Sequence, residues 1–239
     1  MEIKIIPCLK DNYSYLIFDK NSKVACVIDP GDAKPIIKNL KELNLKLRYI
    51  LNTHHHFDHV GGNLDLKEKF NSEVIGYKND QDRIPGIDIL LEDEQKWSNE
   101  NFNFQMFHIP GHTSGHVYYH FPGEKIAFTG DMLFSLGCGR VFECSHEQMF
   151  DSLKKIKNLP KDTMIYCGHE YTLQNSKFCI KYDPNNIKLK NKISFIKERI
   201  KKGLPTIPSL LQDEIDCNIF LKANDLKSFS KLRDLKDNF

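Results

Sequence analysis

Short apolar runs that end in polar or glycine-rich turns fill the first two thirds of the chain, and helical spacing fills the remainder. Val24-Ala25-Cys26-Val27-Ile28 runs into Asp29-Pro30-Gly31, a strand entering a turn. Apolar residues at 36, 37, 40, 43 and 45 give residues 35–45 a helical face, and residues 47–51 read as a buried strand ending at Asn52-Thr53. Three more strands are predicted at 102–109, 117–121 and 125–129, each followed by a loop rich in Gly, Pro, His or Asp. Ser145-His146-Glu147-Gln148 has capping-box spacing and opens a helix carrying Met149, Leu153 and Ile156, closed by Pro160. A last strand, 164–167, precedes Gly168-His169-Glu170, and from about Tyr171 the pattern is helical. This mixture predicts an α/β (α+β) chain with residues 1–170 as one domain and 171–239 as a smaller helical one.

Composition adds little to that picture and excludes some alternatives. With 239 residues, 34 Lys+Arg against 32 Asp+Glu and a net charge of +2, the chain has no global charge argument for a nucleic-acid or membrane partner. Residues 181–202 hold eight basic residues against two acidic ones, but Ile187, Ile193, Ile196 and Ile200 space as one face, so this reads as a solvated helix packed on its apolar side. No apolar run reaches membrane-spanning length, and Met1-Glu2-Ile3-Lys4-Ile5-Ile6-Pro7 lacks the apolar stretch of a signal peptide. The seven cysteines are odd in number, scattered and without a CxxC pair, which predicts reduced thiols in a cytoplasmic protein. A monomer acting on a small molecule is expected.

Chemistry concentrates in Thr53-His54-His55-His56-Phe57-Asp58-His59. Crowded imidazoles beside a carboxylate suit Zn(II), Fe(II) or Mn(II). Residues two apart at a strand end share a side, so His54 and His56 can meet one ion, while Asp58 and His59, before a helix expected after Gly61-Gly62, can face another. His112, Asp131 and His169 each stand at the exit of a predicted strand. Three terminal ligands for each of two metals, with Asp131 left to bridge, make a binuclear site. Two ions can hold a water between them and lower its pKa toward 7, so no Ser or Cys nucleophile is required. Asp58 would orient that hydroxide. A thioester suits the absence of an obvious general acid, because its thiolate leaves with little protonic help. His55 and His116 read as structural, and His108, His120 and His146 as core, strand or cap residues.

The H-x-H-x-D-H segment with the later His, Asp and His resembles the metallo-β-lactamase superfamily, which implies a four-layer αββα sandwich with metals at one edge. Asp11-Asn12-Tyr13-Ser14-Tyr15, Pro110-Gly111-His112-Thr113, Gly137-Cys138-Gly139-Arg140, Tyr166-Cys167-Gly168-His169-Glu170-Tyr171-Thr172 and Pro205-Thr206-Ile207-Pro208-Ser209 narrow the likeness to the glyoxalase II (hydroxyacylglutathione hydrolase) family. The resemblance implies two divalent ions, Zn2+ foremost with Fe or Mn as alternatives, and hydrolysis of S-(2-hydroxyacyl)glutathione thioesters. It also places Arg140, Phe142, Tyr171, Arg233 and Lys236 at the glutathione. Phe142 stands where some relatives have Tyr, Met132 replaces the commoner Thr, and Asn218-Ile219-Phe220-Leu221-Lys222 varies an N-P-F-L-R segment. The competing expectation is another hydrolase of this fold, or a persulfide dioxygenase-like enzyme with one iron and no long helical extension.

Overall fold

The computed structural model describes residues 1–239, which divide into two compact units: Met1–His108 with Gly115–Glu124, and Ile109–Ser114 with Lys125–Phe239. In the first unit the strands are β1 (Glu2–Cys8), β2 (Asn12–Phe18), β3 (Val24–Ile28), β4 (Lys46–Leu51), β5 (Glu73–Tyr77) and β6 (Ile87–Leu91), in that order across one sheet. β1, β2 and β3 pair antiparallel; β3 to β6 pair parallel. The parallel half needs helical crossovers. These are α1 (Ala33–Glu42) between β3 and β4, and α2 (Phe57–Val60) followed by α3 (Asn63–Phe70) between β4 and β5, while β5 reaches β6 through a single 3-10 turn at Lys78–Asp80.

α1 starts two residues before the predicted 35–45 because the Asp32 side chain accepts from Lys34 N (2.9 Å) and caps it. It ends at Glu42, and Asn44 then takes a positive φ of 52°. Ile36 and Leu40 from α1 and Leu66 from α3 bury against Ile6, Leu16, Val27, Ile50 and Val74 of the sheet. Each such side chain contributes about 1.5–3 kcal/mol by leaving water. The same unit carries an antiparallel ladder of β7 (Lys96–Ser98), β8 (Asn103–His108) and β9 (Val117–Phe121). Aromatic contacts join it to the first sheet: Tyr49 meets Trp97 edge-on at 4.9 Å, and Tyr77 stacks on His108 at 4.5 Å.

In the second unit β10 (Ile126–Gly130) pairs parallel with β13 (Met164–Cys167), and β13 pairs antiparallel with β14 (Ser209–Leu210). Between β10 and β13 come the hairpin of β11 (Leu133–Phe134) and β12 (Gly137–Cys138), and α4 (His146–Lys157). Ser145 and Gln148 form the predicted capping box on α4. The helices α5 (Thr172–Tyr182), α6 (Ile187–Lys201), α7 (Leu211–Cys217), α8 (Ile219–Lys222) and α9 (Leu226–Asp237) make up most of the rest. Phe150, Phe178, Phe220 and Phe229 pack among α4, α5, α8 and α9.

The predicted helical face at 181–202 is corrected in part: Ile196 is buried and Ile193 half-buried as expected, while Ile187 and Ile200 are not. Asp183-Pro184-Asn185-Asn186 breaks the run, with Asn186 capping α6 through Leu189 N (3.0 Å), so the buried residues are Leu189 and Ile196. Ile187 is 72% exposed and Ile200 is also exposed. No helix is long and apolar enough to cross a membrane.

Candidate metal centre

In the first unit the histidine loop follows β4, and its geometry is set by a buried carboxylate at the end of β3. Asp29 Oδ1 accepts from Thr53 N (2.7 Å), and Oδ2 accepts from Thr53 Oγ1 (2.6 Å). Oδ2 also faces His59 Nδ1 at 3.0 Å. With its proton given to Asp29, the Thr53 hydroxyl accepts from His54 Nδ1 (3.0 Å). Both imidazoles thus carry their proton on Nδ1, which leaves Nε2 with its lone pair for a metal. Sequence reasoning passed over Asp29 as a turn residue. Its signal was available, since it is a polar residue at a strand exit like the expected ligands.

His54 Nε2 lies 3.1 Å from His56 Nδ1, so these two are brought together as expected. The cause differs from the expected strand pleat. β4 stops at Leu51, and the chain then turns so that His56 becomes the N-cap of α2. Asp58 and His59 lie inside α2, before Gly61, and not ahead of a helix that begins after Gly62. Asn12 Nδ2 donates to Asp58 Oδ2 (2.9 Å) and to the Asp58 carbonyl (3.2 Å). A Cβ on Gly31 would stand 2.2 Å from that carbonyl oxygen, so only glycine allows this approach. His55 turns away and pairs with the buried Asp80 (3.4 Å), which Arg83 Nε also grips at 2.5 Å. His116 stacks on His54 with centroids 4.7 Å apart.

In the second unit, β10 and β13 run parallel with Gly130 opposite Cys167, so Asp131 and His169 leave the same end of the sheet. Asp131 Oδ2 is 3.3 Å from His169 Nε2 and 3.5 Å from His112 Nε2. His112 Nδ1 donates to the Arg140 carbonyl (2.9 Å), again leaving Nε2 for a ligand contact. A carboxylate oxygen facing two Nε2 atoms, one of them on an imidazole pinned through Nδ1, is an imidazole-carboxylate donor set suited to a divalent cation. His54, His59 and Asp29 also present ligand atoms within 4.8 Å of one another.

Of the residues expected at a substrate, Phe142 is 61% exposed with its ring 5.1 Å from that of His112, and Tyr171 stacks on His169 at 4.7 Å. The Arg140 side chain is 60% exposed. Lys236 is half-buried between the Phe178 and Phe239 rings, 5.2 Å from each, and burial together with the nearby Arg233 charge lowers its pKa. Arg233 is only 2% exposed. Its guanidinium Nη1 donates to the Cys138 carbonyl (2.8 Å), and Nη2 to Asp237 (2.9 Å).

Residues 10–169 match the family model of the metallo-beta-lactamase superfamily, and residues 170–239 match that of the hydroxyacylglutathione hydrolase C-terminus. A hydroxyacylglutathione hydrolase of Pelagibacter ubique (strain HTCC1062) is 62% identical over 239 residues, the whole of both chains. Among solved structures, the BLEG-1 B3 metallo-beta-lactamase superimposes with a TM-score of 0.72 at 26% identity, over 93% of this chain and 100% of that one. ETHE1 from Myxococcus xanthus gives a TM-score of 0.75 at 23% identity, over 98% and 90% of the two chains, a likeness of fold.

Proposed function

The chain belongs to the metallo-beta-lactamase superfamily and, through its full-length likeness, to the hydroxyacylglutathione hydrolases within it, and from that membership we propose that it hydrolyses S-(2-hydroxyacyl)glutathione thioesters. The leading substrate is S-D-lactoylglutathione, cleaved to D-lactate and glutathione in the second step of methylglyoxal detoxification. The match of residues 170–239 to the C-terminal module of those hydrolases carries this choice, because the superfamily module alone supports many chemistries.

His54, His56 and His112 would hold one divalent ion and Asp58, His59 and His169 a second, the ligand atoms of each trio lying within 4.8 Å of one another, and Asp131, which faces His112 and His169, would serve both. Zinc is the first expectation, and iron or manganese accept the same donors. Ions held there supply Lewis-acid polarisation of a carbonyl and a water acidified from about 15.7 toward 7. Asp58, its Oδ2 fixed by Asn12 at 2.9 Å, orients the attacking water. The leaving group is a thiol of pKa about 8.5, so it departs as thiolate without a protein acid.

Arg140 and Lys236 present cations for the two glutathione carboxylates, with Phe142 and Tyr171 along the peptide and Arg233 supporting the same end of the site. Residues 1–170 then carry the metals and 171–239 much of the substrate recognition, a division supported by family matches that meet between residues 169 and 170. All seven cysteines are free thiols, which suits work in a reducing cytoplasm, and we take the enzyme to act as a single chain on a small molecule.

The test is steady-state hydrolysis of S-D-lactoylglutathione beside the matching coenzyme A thioester, with metal content measured. Turnover of the glutathione thioester alone is expected. If both thioesters survive with two metals bound, the glutathione assignment falls, and lactone, phosphodiester and persulfide substrates take its place.

A further inference from the structure

Two large apolar side chains stand in solvent beside the histidine loop. Phe57, between the expected ligands His56 and Asp58, is 76% exposed, and Leu9, in the turn between β1 and β2, is 54% exposed. Both rest on one crossing of the backbone. A Cβ on Gly31 would lie 2.2 Å from the Asp58 carbonyl oxygen and 3.4 Å from Leu9 Cδ1. A Cβ on Gly61 would lie 2.7 Å from the Gly31 carbonyl oxygen and 3.2 Å from Phe57 Cζ. The two glycines thus gather Leu9 and Phe57 around the Asp58 backbone. Leu9 also has a φ of 48°, a left-handed conformation that Asn or Gly adopts far more readily. An exposed leucine held in that conformation does little for stability, which points to another use. Asn12, where the same turn enters β2, donates to Asp58 Oδ2 (2.9 Å), so one turn carries both this leucine and the group that fixes Asp58.

We propose that Leu9 and Phe57 form an apolar lip that receives the acyl chain of the thioester and sets which acyl groups the enzyme prefers. This lip depends on the thioester reading above and takes the half of the substrate left unassigned there. The carbon under attack carries two substituents, the glutathionyl sulfur and the acyl chain. Arg140, Phe142, Tyr171 and Lys236, offered to glutathione, all belong to the second unit. The water oriented by Asp58 stands about 3–3.5 Å from the carbon it attacks. The acyl chain therefore starts within a few ångströms of the Asp58 carboxylate, on the unit that carries Leu9 and Phe57. Neither side chain has a hydrogen-bonding group, so the occupant that gains most by covering them is hydrocarbon. A lactoyl group brings only its methyl to such a lip. Longer 2-hydroxyacyl chains keep the same hydroxyl and carbonyl and add methylenes that the lip can cover.

The experiment measures kcat/KM for S-D-lactoylglutathione and S-(2-hydroxyhexanoyl)glutathione in full-length, zinc-loaded wild type, Phe57→Ala and Leu9→Asn. Leu64→Ala is the control, since Leu64 is an exposed leucine of α3 that lies against Gly86. The quantity read is the hexanoyl-to-lactoyl ratio, in which losses common to both substrates cancel. Each CH2 fully removed from water is worth about fourfold, and one half-covered about twofold. The ratio should therefore fall about three- to tenfold in each lip variant and stay at the wild-type value in Leu64→Ala. Leu9→Asn relaxes the left-handed turn, so its thermal midpoint should be no lower than that of wild type. An unchanged ratio in both lip variants would overturn the proposal. Equal losses on both substrates, or loss of bound zinc, would make these side chains supports of the histidine loop and overturn it as well. An unchanged ratio with an altered oligomeric state in size-exclusion chromatography would assign the lip to a second copy of the chain, again against the proposal. Wild type separates the two readings: turnover with no lip effect sinks the acyl lip alone, whereas no turnover of either thioester sinks the thioester assignment and the lip with it.

Discussion

Asp29→Asn isolates the charge that organises the histidine loop. Asp29 has a φ of 49°, a backbone conformation that Asn tolerates as readily as Asp, so the variant alters chemistry without opening the turn. In the native protein the two carboxylate oxygens receive Thr53 N at 2.7 Å, Thr53 Oγ1 at 2.6 Å and His59 Nδ1 at 3.0 Å. An amide has only one oxygen. If that oxygen stays on Thr53 N, the NH2 group faces both an imidazole N–H and the Thr53 hydroxyl that orients His54. His59 then either keeps two donors opposed in a buried site or moves its proton to Nε2 and loses that atom as a ligand.

A hydrogen bond to a charged partner is worth about 1.5–3 kcal/mol. At about 1.4 kcal/mol per tenfold, losing the one that fixes the His59 tautomer weakens its ion by about 10–100-fold. The assay is bound zinc per chain across a series of buffered free-zinc concentrations, with urea unfolding as a control. The His59 zinc should leave the variant at about 10–100-fold higher free zinc than it leaves wild type, and the zinc of His54, whose tautomer depends on the same carboxylate through Thr53, should weaken as well. Superimposable zinc titrations would refute the tautomer argument.

Arg140→Ala removes an exposed cation but leaves the carbonyl that holds His112, so KM for S-D-lactoylglutathione should rise about 10–100-fold with zinc content unchanged, read from paired kinetics and metal analysis. His55→Gln loses the pairing with Asp80 and should cost about 1 kcal/mol in urea unfolding while two metals remain bound; loss of an ion would make His55 a ligand. Glu214 is buried, and that burial raises its pKa above the ordinary 4.5 despite hydrogen bonds from Leu136 N and Asn218. The folded protein therefore holds this proton more tightly than the unfolded chain, and its contribution to stability is lost as pH rises from about 4.5 through the folded pKa. Glu214→Gln should flatten that part of the pH profile of the urea midpoint, and an unchanged slope would count against it.

What the chain made legible was local. Strands 24–28, 117–121 and 164–167 are found at their predicted bounds because each is a short apolar run closed by a turn residue, and the Ser145 capping box is written in four consecutive positions. The histidines and aspartates that carry the metal argument stood out for the same reason, as dense ligand-type residues at strand exits. The helical third was harder to read, since on α6 several isoleucines have helical spacing and only packing decides that Leu189 and Ile196 face inward.

Least legible were the groups that act on the ligands. Asp29 is 30 residues from His59, a separation with no periodicity that pattern reading can detect. Asp29 decides which His59 ring nitrogen carries the proton, so composition of the ligand set alone cannot fix metal affinity. Two chains with the same seven candidate ligands would differ in zinc binding if one lacked the carboxylate at 29. A substitution at position 29 is therefore where a relative with an intact H-x-H-x-D-H segment would first lose a metal.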